Sequence, residues 1–250
     1  MIRKMIILCS LSIAISACVS SSGLSGDESK RAAAINAQLG VGYLRQGKYE
    51  IAKQKLDKAL EQDPDNGNIH HYMAELYRRL NEPTLAEKHF QIAMNQNEDD
   101  FALLNNYAVF LCGNKEYKKA TEYFDKVLTD PVYQRKDLVY ENMGLCSKSQ
   151  GNLFLAEKHF DKALGMNSKL PITIINLAQI SFDKQQIAQA NFHYKRYLKI
   201  ARQTAQSLWL GYLLEKQNGN ANMAGRYAIL LKGKFPDSKE ARLLRKLESQ

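Results

Sequence analysis

A small residue followed by apolar residues four and seven places later recurs six times along the chain. The sets are Ala52/Leu56/Ala59, Ala86/Phe90/Ala93, Ala120/Phe124/Val127, Ala156/Phe160/Ala163, Ala190/Tyr194/Tyr197 and Ala224/Ala228/Leu231. Steps of four and three put each trio on one face of a helix. The alanines that open the trios lie 34, 34, 36, 34 and 34 residues apart. Thirteen residues before each stands a second landmark, namely Leu39, Met73, Tyr107, Met143, Leu177 and Gly211. In the first five periods a Gly or Ala follows that landmark directly, at Gly40, Ala74, Ala108, Gly144 and Ala178. Each period therefore predicts two helices, with a small residue where they cross. Without a bulky side chain there, the backbones approach to the short end of the usual 8–10 Å range.

The turns fit this division. "QGKYE", "GNKEY", "QGNLF" and "QNGNAN" place Gly or Asn where the first helix of a pair must stop. Pro83 in "NEPTLAEKHF" falls near the first turn of the next helix, where a missing N–H donor does no harm. Pro64 and Pro236 end the first and last periods, and the two extra residues sit in "LTDPVYQRKD" around Pro131. In the sixth period "SLWLGYLLEKQ" fits better if shifted by one residue. Residues 237–250 read as a short amphipathic helix covering the last open face. A 34-residue helix-turn-helix unit of this kind resembles the tetratricopeptide repeat, and the likeness covers about residues 33–236. The fold this implies is all-α, a superhelical solenoid of six antiparallel helix pairs with a C-terminal capping helix.

Ahead of the repeats lies a different pattern. Arg3 and Lys4 precede an 11-residue apolar stretch, Met5 to Ile15. Spanning a bilayer takes roughly 20 apolar residues, so the stretch suits the core of an export signal. It closes on "ISAC", which resembles the bacterial lipoprotein signal. That resemblance implies that residues 1–17 are removed and that Cys18 becomes an acylated first residue. Residues 18–32 then form a flexible linker and residues 33–250 the repeats and cap. Several acyl chains at about 0.8 kcal/mol per buried methylene hold firmly where one does not. Val19, rather than Asp, follows the cysteine and points to the outer membrane, with the repeats facing the periplasm.

The formal net charge of +9 falls to +7 once Arg3 and Lys4 leave with the signal. Basic and acidic residues alternate along the helices, as in "AEKHFDKAL", which reads as solvated faces. No aromatic-basic stripe marks a nucleic-acid surface. His89, His159 and His193 fall at one position of three different repeats and face successive neighbours, which suits packing rather than a shared metal ion. His70 and His71 are adjacent on one helix, with only Glu75 at ligand spacing from His71. The sequence has no glycine-rich phosphate loop, nucleophile elbow or paired-carboxylate motif. No catalytic residue, metal, cofactor or small-molecule substrate is expected.

A groove is the expected working surface. Asn106, Asn142 and Asn176 recur at one position of the first helix in repeats three to five. An amide both donates and accepts, so this ladder could hold an extended peptide backbone or could tie neighbouring helices together. In the first repeat, Ala34, Ala37, Val41 and Leu44 form an apolar strip, either a docking site or a surface covered by the linker.

The whole plan closely resembles the type IV pilus biogenesis and stability lipoproteins, the PilF/PilW-type pilotins. The stretches that carry the likeness are "ISAC", "RAAAINAQLGVGYLRQGKYEIAKQKLDKALEQDPDN", "LNNYAVFLCGNKEYKKATEYFDKVL" and "GNLFLAEKHFDKAL". The resemblance implies a non-catalytic adaptor that binds secretin subunits and supports their outer-membrane targeting and assembly. Scaffolding of cell-wall hydrolases or of barrel assembly is the alternative, and a periplasmic hydrolase a more distant one. Of the four cysteines, Cys112 and Cys146 alone remain outside the signal and the lipid anchor. They are 34 residues apart in the first helices of adjacent repeats. In an oxidising periplasm they are expected to form a disulfide, with two buried unpaired thiols as the alternative.

Overall fold

The computed structural model describes residues 26–97 and 99–249. Among these residues the chain forms thirteen helices and no strand. They run as α1 (Gly26–Arg45) and α2 (Tyr49–Gln62), α3 (Gly67–Arg79) and α4 (Pro83–Gln96), α5 (Phe101–Gly113) and α6 (Tyr117–Thr129). Then follow α7 (Lys136–Ser149) and α8 (Leu153–Met166), α9 (Pro171–Asp183) and α10 (Ile187–Leu198), α11 (Ala205–Gln217) and α12 (Ala221–Lys234), and last α13 (Lys239–Glu248). Six of the expected pairs and the cap are present. The first helix begins at Gly26, so seven residues assigned to the linker are helical. Asp27 and Glu28 favour the start of this helix, and Ser29 Oγ donates to the Gln62 carbonyl 2.8 Å away. The signal and the Cys18 lipidation site lie outside the described residues.

The trios do the work the pattern assigned to them. Phe90, Phe124 and Phe160 are fully buried, as are the alanines that open the first five trios. Each first helix packs on its own partner and on the first helices of neighbouring repeats, whereas successive second helices stay apart. The first helices therefore line the inner side of the curve. Leu39 is the exception among the landmarks, being 44% exposed. Its face is the one that receives a preceding first helix in later repeats, and among the described residues α1 has no predecessor. The one-residue shift in the sixth repeat is also seen: Leu210 is fully buried and Gly211 packs against Tyr194 and Tyr227. Connections between repeats are four residues long except two of six, at 130–135 and at 199–204. The second was not legible, because the shortened α10 keeps the alanine interval at 34. The cap α13 buries Ala241 and Leu244, and Lys232 reaches Glu248 at 2.9 Å.

Each helix pair turns through one residue in the left-handed region: Gly47, Asn81, Lys115, Gly151, Gln185 and Gly219. These positions keep the period of the alanines. In "GNKEY" the turn falls on Lys115, not on the glycine or asparagine before it. A side chain there costs on the order of 1 kcal/mol, which glycine avoids. Replacing Lys115 and Gln185 together by Gly is expected to raise the melting temperature by roughly 2–4 °C. Gly151→Ala should lower it, as read by thermal unfolding.

Candidate partner-binding surface

Polar side chains stitch the inner face from repeat to repeat. Asn106 Nδ2 lies 2.9 Å from His71 Nε2, and Asn142 Nδ2 donates to Asn105 Oδ1 at 3.2 Å. Asn176 accepts from Lys148 Nζ at 2.6 Å and donates to the Ile172 carbonyl. The three ladder amides thus bridge adjacent first helices. Asn176 is buried and spent on these bonds. Asn106 and Asn142 are half-buried, and among the described residues their amide oxygens accept nothing. A further bridge had no sequence signal: Glu141 of α7 accepts from both the amide and the hydroxyl of Thr173, at 3.0 and 2.7 Å. It takes the place of the missing side-chain cap at the start of α9.

The apolar strip of the first repeat does not exist as a single exposed surface. Ala37 and Leu44 are each only 5% exposed and belong to the core with Ala52, Leu56 and Ala59. Ala34 is exposed and Val41 half-buried. Residues three apart on a helix differ by about 60° in direction, so these four split between an inward and an outward row. The exposed apolar residues of α1 are Ile35 and Leu39 instead. With Gln38, Gly42, Tyr43 and Gln46 they line a surface depression of about 490 Å³. The period does not show that, among the described residues, no helix precedes α1 to cover the landmark face of the first repeat.

Cys112 and Cys146 are joined by a disulfide, their Cα atoms 5.7 Å apart. The bond runs from α5 to α7, past α6 and the loop at 130–135.

A tetratricopeptide repeat family model matches residues 43–106. The type IV pilus assembly protein PilF of Pseudomonas aeruginosa is 32% identical over 203 residues, covering 81% of each chain. A solved structure of P. aeruginosa PilF superposes with a TM-score of 0.70 at 30% identity, over 87% of this chain and 98% of that one. The structure of PilW, described as a widely conserved type IV pilus biogenesis factor, gives a TM-score of 0.71 at 31% identity, over 85% and 97%.

The chain belongs to the PilF/PilW family of type IV pilus biogenesis proteins. As a family member it is a repeat scaffold for protein binding in pilus assembly.

Burial lowers the pKa of four histidines of this PilF/PilW-type chain, His71, His89, His159 and His193. Burial lowers His71, and Asn106 as donor requires an unprotonated Nε2 there. His89 is pushed down to about 4, by burial first and then by the His70 ring. The two rings share a hydrogen bond of 2.8 Å between their Nδ1 atoms, and His70 Nε2 lies 2.8 Å from the Pro64 carbonyl. This contact spans 19 residues with no repeat signature. Burial also lowers His159 and His193. Depressed folded values mean that the unfolded chain takes up protons first. The stability they contribute is complete above pH about 6.5 and is lost as pH falls toward 4. We expect the melting temperature to drop progressively from pH 7 to pH 4.5. His89→Gln should flatten that slope; identical slopes in the two proteins would contradict the assignment.

Proposed function

We propose that this protein is an outer-membrane lipoprotein adaptor, a pilotin, that binds secretin subunits and promotes their targeting and multimerisation in type IV pilus biogenesis. The observation that carries the reading is the near full-length likeness to PilF and PilW combined with an apolar face on the first repeat that no described residue covers. That face, Ile35 and Leu39 with Ala34 and Val41 beside it, is the docking site for an apolar segment of the partner. The free oxygens of Asn106 and Asn142 serve an extended backbone further along the inner side. No described helix is long and apolar enough to cross a membrane. Attachment is therefore assigned to acyl chains on Cys18, at the close of "ISAC". The tether places the first repeat, and with it the depression, beside the membrane that receives the secretin.

Two experiments test this. Secretin subunits from membrane extract should co-purify with the protein, and Ile35→Asp with Leu39→Asp should abolish the capture without lowering the melting temperature. Cys18→Ala should leave the repeats folded and move the protein from the membrane fraction to the soluble periplasmic fraction, with loss of acyl label. Membrane retention without label would sink the lipoprotein part of the reading.

A further inference from the structure

Charge is distributed unevenly along the solenoid. Residues 184–250 hold thirteen Lys and Arg against four Asp and Glu, a surplus of nine. That equals the formal net charge of the whole chain, so residues 1–183 are balanced. The surplus belongs to α10, α12, α13 and their connections, five repeats away from the depression on α1. Among the described residues, Lys199, Arg202, Arg226 and Lys234 have no carboxylate within ion-pair distance, and all four are exposed. Arg226 instead rests on Met223, with Nη1 3.8 Å from the sulfur.

The same region carries an apolar groove. Gln203 of the long 199–204 connection faces Met223, Arg226, Tyr227, Ile229 and Leu230 of α12 across a recess of about 470 Å³. Ile229 is 69% exposed. Arg226, Ile229, Leu230 and Lys234 succeed one another at helical spacing, which sets cations before and after the apolar pair along α12. Lys199 and Arg202, both exposed, lie in the connection that supplies Gln203.

We propose that this groove is a second docking site, for an acidic amphipathic segment of a partner protein that inserts apolar side chains between Ile229 and the 199–204 connection. Its carboxylates meet Arg226, Lys234, Lys199 and Arg202. Charge complementarity selects the partner's sign, and unpaired cations at the rim raise the rate of encounter with an acidic chain. The recess selects a protein segment over a bilayer, because a flat headgroup surface does not enter it. A second copy of this chain is disfavoured, since its equivalent face carries the same surplus of positive charge. The site is independent of the first-repeat depression and of the identity of the partner bound there.

The probe is an 18-residue helical peptide with leucines on one face and glutamates flanking them, titrated against the full chain by fluorescence anisotropy. Two control peptides carry Gln for Glu and Ser for Leu, and vesicles containing phosphatidylglycerol form a separate arm. The acidic peptide should bind at least ten-fold more tightly than either control, with affinity falling as salt rises. Arg226→Glu with Lys234→Glu, and separately Ile229→Ser, should each weaken it ten-fold or more. Lys58→Glu with Lys118→Glu, equal in charge but on the second helices of the first and third repeats, should change it less than two-fold. Equal binding of the three peptides, equal effects of the two charge-reversal pairs, or no binding would overturn the proposal. Vesicle binding sensitive to Arg226 and Lys234, without peptide binding, would replace it with a membrane-facing surface.

Discussion

Removing the disulfide is expected to cost about 3–4 kcal/mol. The bond between Cys112 and Cys146 closes a loop of 34 residues in sequence separation, and the chain-entropy relation for such a loop gives that value. Both cysteines are buried, so Cys112→Ala with Cys146→Ala also removes two well-packed sulfurs. For a chain of this size the loss corresponds to roughly 6–16 °C in melting temperature. The effect should be local as well as global. The closed loop contains all of α6 and the 130–135 connection, so hydrogen exchange should speed first in α6 and α7. Solenoids unfold by repeats, and loss of the clamp between the third and fourth lets them separate. Unchanged exchange in α6 with a lowered melting temperature would place the bond's effect in the unfolded chain alone.

Filling the crossing at Gly144 with a large side chain should be still more damaging. A Cβ added there would lie closer than 3 Å to three atoms of the Phe160 ring, which is fully buried and has no room to retreat. Gly40 meets Leu56 of its own pair in the same way, and Gly211 meets the hydroxyl end of Tyr194 from the preceding repeat and Tyr227 of its own. Gly144→Ala gains up to about 1 kcal/mol in helix propensity but forces the ring aside at a cost of about 1–3 kcal/mol. Gly144→Leu cannot be accommodated and should unfold the fourth repeat. Phe160→Ala alone should cost about 3–5 kcal/mol through the cavity it leaves. The double change Gly144→Ala with Phe160→Leu should be less harmful than the two single effects summed, because the smaller side chain makes room for the methyl group. Additive losses in that cycle would show that the two residues do not press on each other.

The fold was legible because a repeat writes its packing into the sequence several times. Ala156, Phe160 and Gly144 could be read individually only weakly; the same trio at five other places made the assignment of helix, partner and crossing secure. What the period cannot show is where a repeat lacks a neighbour. Leu39 reads as core by its register, and it is exposed because, among the described residues, no helix precedes α1. Ala37 and Leu44 read as surface beside Ala34 and Val41, and a 60° turn of the helix places them inside. The polar contacts between helices were equally hidden, since His70 with His89 within the second repeat and Glu141 with Thr173 between two repeats depend on register between helices and not on spacing within one. The left-handed turns at Lys115 and Gln185 were missed for a related reason: packing of the flanking helices imposes the conformation, and no local residue advertises it.

The pilotin reading stands or falls on what happens to the secretin. The decisive measurement is the amount of heat-stable secretin multimer in outer-membrane fractions of cells lacking this protein, complemented with the wild-type chain, with Cys18→Ala, or with Ile35→Asp and Leu39→Asp. The account predicts multimers at the outer membrane with the wild type alone, and unassembled or misplaced subunits in the deletion and with either variant. Normal levels of correctly placed multimers in the deletion strain would contradict it.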